Sequence, residues 1–403
     1  MAYLPSFFNT VLLFCHIYLY LNLRRAFGQG WWRLLVIVLL SAGYLAIAFR
    51  SRILSHTDNR MVIHGILLWA GFAIISTMWT GARDLLHLFA LLLDRLCGSS
   101  LARRMPAAAS VRLALALGAL AFAYSIHEAA AVGIRNVVIT TDRLPPGTDR
   151  VRIAVLTDMH IVRHTPVAWV ERMVELTNAR NPDMVVLLGD IVDDRLEGRP
   201  DLAAAMRGLV APHGRFAVLG NHEYSRGAER STAFLEGAGF TVLRGDVRAA
   251  AGVELAGVDD PRFADRRGIA ETLADATAGR FVILLAHRPE TPPEARGMFD
   301  LQLSGHTHGG QIWPIALLNR LRYGYWSGLT RLAGERAENG RPGLLYISRG
   351  TGYYGPPIRF LAPPEITLVE VAPKECAKKP RIHENAGPDG QLGRKTGFEP
   401  ATF

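Results

Sequence analysis

Four apolar runs crowd the first 132 residues, and they constrain the fold more than any other feature of the chain. Pro5–Leu23 carries no charge and ends at Arg24-Arg25. Leu34–Phe49 follows Trp31-Trp32-Arg33 and precedes Arg50 and Arg52. Met61–Thr80 contains Trp69 and Trp79, and Leu113–Val132 is interrupted only by His127 and Glu128 near its end. A helix needs about 20 apolar residues to cross the hydrocarbon core of a bilayer. In lipid the backbone must satisfy its own hydrogen bonds, so a helix is the natural form of each run. The expectation is an all-α transmembrane region over residues 1–135, with helices at about 5–23, 32–49, 61–80 and 112–132. Core helices of a soluble domain would not be bounded by arginine so regularly. A cleaved signal peptide suits the first run less well, because Met1–Leu4 has no basic side chain and no small-residue cleavage site follows. Leu85–Leu93 reads as an interfacial helix extending the third run.

The net charge of +9 is unevenly spread. Residues 1–143 hold 13 Arg and 5 acidic groups, whereas residues 144–371 are balanced at 26 Arg to 27 acidic groups. The excess therefore flanks apolar runs and does not form a nucleic-acid surface. Arg24, Arg25 and Arg33 lie between the first and second runs, and Arg83, Arg95, Arg103, Arg104 and Arg112 between the third and fourth. Only Arg50, Arg52 and Arg60 lie between the second and third. By the positive-inside rule the two arginine-richer loops are cytoplasmic, and the chain beyond the fourth run is extracytoplasmic. The expected location is a multi-pass protein of the cell membrane. Cys15, Cys97 and Cys376 have no spacing that suggests a disulfide framework or a thiolate metal site.

The composition changes over Asn136–Asp149, where a short strand at Val137–Ile139 and a turn at Leu144–Gly147 mark a domain boundary. Beyond it, apolar strands alternate with helical patterns, the signature of an α/β domain. Strands are expected at 152–157, 184–188, 216–219, 241–243, 253–258, 281–285, 299–304, 343–348 and 365–371, and helices at 166–180, 202–210, 228–237 and 269–278. Polar groups cluster just after the strands: Asp158-Met159-His160, Gly189-Asp190, Gly220-Asn221-His222-Glu223, Ala286-His287 and Gly305-His306-Thr307-His308-Gly309-Gly310-Gln311. One Asp after a strand is usually a helix cap. Five strand ends that all carry metal-ligand types are not, because ligands of α/β domains gather at that edge. With no thiolate, the set suits Mn, Fe or Zn. Two such ions held about 3.5–4 Å apart form a clamp for in-line attack on phosphorus, with an acidic bridge to offset their repulsion.

These motifs, complete and in order, resemble those of the calcineurin-like metallophosphoesterases over residues 150–371. The Gly-His-Thr-His-Gly-Gly-Gln loop and the later Gly350-Thr351-Gly352 and Gly355-Pro356-Pro357-Ile358-Arg359 segment resemble the membrane-associated bacterial branch. The resemblance implies a four-layer αββα sandwich and a dinuclear-metal phosphoesterase in which a metal-bridging hydroxide attacks phosphoester or pyrophosphate bonds. It implies that Asp158, His160, Asp190 and His308 hold one ion. Asp190, Asn221, His287 and His306 would hold the other, with Asp190 as the bridge. His222 would be catalytic, protonating the leaving oxygen or stabilising the transition state. Glu223 would orient its neighbours, and Asp193 and Asp194 would be supporting loop groups. One departure matters: protein phosphatases of this superfamily read Asp-Arg-Gly after the second motif, and here the chain reads Asp193-Asp194-Arg195. The phosphate-gripping arginine is out of register, which argues against a Ser/Thr phosphatase.

Ile312–Leu332 interleaves Trp313, Ile315, Leu317, Leu318, Leu321, Tyr323, Tyr325 and Trp326 with Arg320, Arg322 and Arg331. Such a mixture suits a membrane interface, and with the upstream spans it points to a lipid-linked phosphoester or pyrophosphate as substrate. Two other readings compete: a nucleotide phosphodiesterase or nuclease, and a non-catalytic membrane scaffold that keeps the fold. The balanced charge of residues 144–371 counts against long nucleic acid, and the complete ligand set counts against a scaffold. Residues 372–403, rich in Lys, Gly and Pro, read as a disordered tail. Oligomeric state has no signature in the sequence.

Overall fold

The structure, a computed structural model, describes residues 3–49, 59–263, 267–332 and 343–374. Most of the tail expected over 372–403 lies outside the described residues. The chain forms two compact units. One comprises residues 1–132 with 311–315 and 353–364, and the other comprises 133–310, 316–352 and the chain from 365 onward.

The first unit is built on helices α1 (Tyr3–Phe27), α2 (Trp32–Ala48), α3 (Arg60–Cys97) and α4 (Ala107–Ala130). The Asn59 side chain accepts from the Met61 amide at 3.0 Å and caps α3. Gly98, at φ 67°, ends that helix in the left-handed conformation. Leu85–Leu93 lies inside α3 and so extends the third helix. Both α3 and α4 are long and apolar enough to cross a membrane, and α2 is a shorter apolar helix. Small residues let α3 and α4 approach closely: a Cβ at Gly118 would stand 3.2 Å from the Ser76 Cα. Ile312, Ile358 and Phe360 are buried in the same cluster as Ile75 of α3 and Ala121 of α4. The Arg359 amide donates to the Ser125 carbonyl at 2.9 Å, and the Leu361 amide donates to Glu128 Oε2 at 2.7 Å.

The second unit holds two six-stranded mixed sheets. The first has the order β1 (Gly133–Thr141), β12 (Glu365–Pro373), β2 (Val151–Leu156), β3 (Met184–Leu188), β4 (Arg215–Val218), β5 (Thr241–Val242). The second runs β10 (Gly328–Arg331), β11 (Leu344–Ile347), β9 (Leu301–Ser304), β8 (Phe281–Leu285), β7 (Val253–Gly257), β6 (Asp246–Ala250). Ile153, Val155, Val186 and Val218 of the first sheet share one buried cluster with Leu255, Ile283, Leu285 and Leu303 of the second, so the sheets face each other across a single core. Because side chains alternate along a strand, Ala154 and Leu156 turn to the opposite face. The outer face of the second sheet, through Val282 and Leu284, packs with Ile269 and Leu273 of helix α9 (Ile269–Leu273). Helices α5 (Val167–Asn178), α6 (Pro200–Arg207), α7 (Asn221–Arg226) and α8 (Ala228–Gly237) follow strands of the first sheet, and α10 (Ile315–Tyr323) follows β9. The architecture is the expected αββα sandwich attached to a helical N-terminal region.

Strands β3 and β8, reading Met-Val-Val-Leu-Leu and Phe-Val-Ile-Leu-Leu, are buried along their whole length. Continuous apolar runs of this kind belong to parallel strands covered on both faces. Pairing is parallel through β2, β3 and β4 and again through β7, β8 and β9. Parallel pairing brings the carboxyl ends of each set to one edge. Several elements go beyond the sequence reading, among them β6 and α7. The short strand expected at Val137–Ile139 is nine residues long and pairs in parallel with β12. Strand β10 and helix α10 give regular structure to part of Ile312–Leu332.

Candidate metal centre

The polar residues at the strand ends converge. Ligand atoms of Asp158, His160 and His308 lie within 4.8 Å of one another, as do those of Asp190, His287 and His306. In the first group His160 Nε2 stands 3.1 Å from His308 Nε2, and His308 Nε2 stands 3.4 Å from Asp158 Oδ1. In the second, His287 Nε2 is 3.1 Å from Asp190 Oδ2 and 3.2 Å from His306 Nδ1. His287 Nδ1 donates to the Leu188 carbonyl at 2.7 Å, which fixes the ring and aims Nε2 into the group. Asn221 stands beside them, its Oδ1 accepting from Arg288 Nη2 at 3.2 Å. The His222 amide donates to Asp190 Oδ1 at 2.9 Å, and its Nε2 lies 3.9 Å from Asp190 Oδ2.

Backbone geometry aims these side chains. Asp158, His160, Asp190, His306 and His308 all hold φ between 47° and 67°. The chain can turn so sharply only where no side chain blocks it. A Cβ at Gly305 would strike the Thr157 hydroxyl and the Asp158 carboxylate, and one at Gly220 would strike Asp190 Oδ1. The Asp158 carboxylate in turn accepts the His306 amide at 3.1 and 3.0 Å, joining the β2 and β9 loops.

The electrostatics of the groups fit a cation. Asp158 and Asp190 are buried, and their ion-pair partners among the described residues are histidines, not lysine or arginine. Burial raises the Asp158 carboxyl above its usual range despite the opposing pull of His287. Asp190 is also buried, but the charge and hydrogen bond of His287 overcome that and hold it well below its usual range. Burial works against a charged His287, yet Asp190 pushes it up to about 10. Burial, then the charges of His287 and Arg288, drive His306 down to about 2. Two desolvated carboxylates thus draw positive charge onto the nearest imidazole, and a divalent cation meets the same demand. The oxygen and imidazole donors, with no thiolate, suit a divalent ion of the first transition row.

Known proteins agree with this chemistry. Residues 151–310 match the calcineurin-like phosphoesterase family. An uncharacterized metallophosphoesterase of Aquifex aeolicus (strain VF5) is 37% identical over 266 residues, covering 62% of this chain and 96% of that one. The chain belongs to the calcineurin-like metallophosphoesterases. It is therefore a metal-dependent phosphoester hydrolase. An uncharacterized metallophosphoesterase of Helicobacter pylori (strain J99) is 36% identical over 251 residues, which is 60% of this chain and 65% of the relative's length. A transmembrane protein with metallophosphoesterase domain from Danio rerio is 29% identical over 397 residues, covering 90% of this chain and 87% of that one. That relative and the two long apolar helices point to membrane association.

The structure gives Asp193 and Glu223 of this metallophosphoesterase definite partners and adds Asp260 and Arg288, which the sequence reading did not single out. Asp193 Oδ1 accepts from His222 Nδ1 at 2.8 Å and from Arg226 Nε at 3.0 Å, while its Oδ2 lies 3.3 Å from His160 Nδ1. Burial works against its charge, but His160 and His222 hold the carboxyl well below its usual range. Burial opposes charge on His222 as well, and Asp193 more than offsets it, so the imidazole is raised. Glu223 is wholly buried and accepts the amides of Asp190, Ile191, Val192 and Gly220 at 2.6–2.9 Å. Arg288 and Asp260 form a buried ion pair at 2.6 Å beside the second group. The available signal was positional: Asp260 and Arg288 also come just after strands, as the ligands do.

Proposed function

We propose that the chain is a membrane-embedded, dinuclear-metal phosphoesterase. Asp158, His160, Asp190 and His308 hold one divalent ion, and Asp190, Asn221, His287 and His306 hold the other, with Mn, Fe or Zn as the metal. One observation carries this reading: two largely buried Asp/His groups of matching composition gather at the parallel strand ends, linked by the His306 amide on Asp158. Bound there, the ions supply Lewis acidity toward the phosphoryl group and lower the pKa of water. Asp190, assigned to both ions, would offset their mutual repulsion. Asp193 fixes the His222 ring through Nδ1, leaving Nε2 to give a proton to the departing oxygen.

The substrate we infer is a lipid-linked phosphoester or pyrophosphate. Leu317, Leu318, Leu321 and Trp326 are exposed on and after α10 beside Arg320 and Arg322, an amphipathic surface suited to a bilayer interface. The Tyr323 ring on the same helix stands 6.1 Å from that of His306. The domain plan proposed is four spans within residues 1–135 and a catalytic domain over 150–371 that faces away from the cytoplasm.

The test uses the full chain, purified in detergent with Mn. Wild type is expected to hydrolyse bis-p-nitrophenyl phosphate and, better, a lipid-linked pyrophosphate, while Asp190→Asn loses about a hundredfold or more in kcat/KM together with bound metal. Metal-free, inactive wild type would sink the enzyme assignment, and an Asp190→Asn variant as active as wild type would sink the bridge. Preference for nucleotide substrates over lipid-linked ones would turn the reading to a nucleotide phosphodiesterase.

A further inference from the structure

The geometry points to Arg288 as the residue that grips the phosphoryl group of the substrate. This rests on the phosphoesterase reading above and names a chain residue that the reading leaves without a task. Arg288 directly follows His287 and is only 8% exposed. Its carbonyl accepts from Gln302 Nε2 at 3.3 Å and Ser304 Oγ at 3.2 Å, so its backbone is pinned. Its Nε donates to Asp260 Oδ2 at 2.6 Å, and Asp260 is itself buried. This anchoring leaves the two terminal nitrogens. Nη1 reaches His306 Nε2 at 2.7 Å, and Nη2 reaches Asn221 Oδ1 at 3.2 Å.

Both partners are proposed ligands of one ion, and this decides what Arg288 can do. The Asn221 side-chain oxygen carries two lone pairs, so it can keep the Arg288 N–H on one and offer the other to a cation. A neutral imidazole has one lone pair; when His306 accepts at Nε2, its proton sits on Nδ1, the atom facing His287 Nε2 at 3.2 Å. If His306 held a cation through Nδ1, its proton would sit on Nε2 and the Arg288 Nη1 contact there would be lost. Arg288 would then stay anchored through Nε to Asp260 and through Nη2 to Asn221, with Nη1 released toward the site. A planar guanidinium held this way matches two oxygens of a phosphoryl group. The position where protein phosphatases place such an arginine is filled here by Asp194. Arg195 instead lines a cavity of about 280 Å³ with Asp194, Leu196, Arg226, Arg230 and Phe234.

The test uses full-length wild type, Arg288→Gln, Arg288→Lys and Asp260→Asn in detergent, each loaded with Mn. Two readouts are taken: metal bound per chain by elemental analysis, and binding of inorganic phosphate, as the probe, by calorimetry and by competitive inhibition. Arg288→Gln is expected to keep or tighten metal binding, to weaken phosphate binding at least tenfold and to raise KM more than it lowers kcat. Arg288→Lys keeps the charge but loses the fork, and falls between wild type and Arg288→Gln. Asp260→Asn loosens the tether and weakens phosphate binding several-fold with metal content unchanged. Should Arg288→Gln fail to fold around an unpaired Asp260, the Lys and Asn variants carry the same measurement. Phosphate affinity within twofold of wild type in every folded variant would overturn the proposal, leaving a structural ion pair only. An inactive wild type whose phosphate binding still depends on Arg288 would remove the hydrolase reading and keep the grip; activity with unaltered phosphate binding would do the reverse.

Discussion

Positive φ at Asp158, His160, Asp190, His306 and His308 has an energetic meaning. A side chain in the left-handed region costs roughly 1–2 kcal/mol, so five such residues hold a reservoir of strain that the surroundings must outweigh. Strain of this kind collects at functional sites, where the surrounding structure over-determines the backbone. Glu223 is a large part of that surrounding. One carboxylate accepts the amides of Asp190, Ile191, Val192 and Gly220, and so fixes the β3 and β4 loops against each other. Burial and the nearby Asp190 raise its pKa, and the Val192 and Gly220 amides oppose them. Glu223→Gln turns one acceptor oxygen into a donor facing amide N–H groups. The expected loss is about 3 kcal/mol, or roughly 6–12 °C in the melting temperature of a domain of this size. Differential scanning fluorimetry in detergent measures it, and an unchanged melting temperature would show that the amides need no carboxylate.

Residue identity at the site was legible in the sequence for a simple reason. Asp158, Asp190, Asn221, His287, His306 and His308 each follow an apolar run within a few positions, so the linear order gives their edge of the sheet. The supporting roles of Glu223 and Asp193 could be expected, but their long-range partners, and those of Asp260 and Arg288, were not legible. Their partners are distant in sequence: Glu223 and Ile191 are 32 positions apart, and Arg288 and Asn221 are 67 apart. Nothing local in the chain encodes those pairings.

At the scale of elements, one blemish in the sequence turns out to be a contact. Glu128 interrupts the fourth apolar run, yet its carboxylate accepts the Leu361 amide at 2.7 Å, next to the Arg359 amide on the Ser125 carbonyl. The Pro356-Pro357-Ile358-Arg359 segment could be recognised but not placed, because its burial beside Ile75 and Ala121 is a tertiary event. Strand β1 was underestimated for a related reason. Exposed and buried residues alternate only from Val137 onward, and Gly133–Asn136 carries no strand pattern of its own. Pairing with β12 recruits those residues, from Gly133 opposite Glu365 to Thr141 opposite Pro373. A chain begun at residue 144 therefore lacks an edge strand and leaves β12 open to pair with other molecules. Compared with a chain begun at residue 131, it is expected to melt lower and to aggregate on light scattering at equal concentration. Equal behaviour of the two would mean that β1 adds no stability to the sheet.

Charge decides the last question, which belongs to the whole molecule. The chain from 144 to 371 is balanced, so its own charge gives it no preferred side of a membrane. Orientation then depends on the short loops among the apolar helices, where Lys and Arg count and acidic residues contribute little. Arg24, Arg25, Arg33, Arg83, Arg95, Arg103, Arg104 and Arg112 lie in the two loops that share a side when all four runs span, against Arg50, Arg52 and Arg60 in the other. Arg135 and Arg143 come after the fourth run and pull the other way. Arg143 is already committed, its Nη1 paired with the buried Asp300 at 2.6 Å, and that leaves Arg135 as the weaker opponent. The predicted outcome is both termini outside the cytoplasm. Fused at the C-terminus, alkaline phosphatase should be active and a green fluorescent protein exported in unfolded form should be dark. Substituting Arg83, Arg95, Arg103, Arg104 and Arg112 together with Gln should shift that ratio toward fluorescence. A bright, phosphatase-inactive wild-type fusion would overturn the orientation, and would confine the substrate to lipid-linked phosphates presented on the cytoplasmic leaflet.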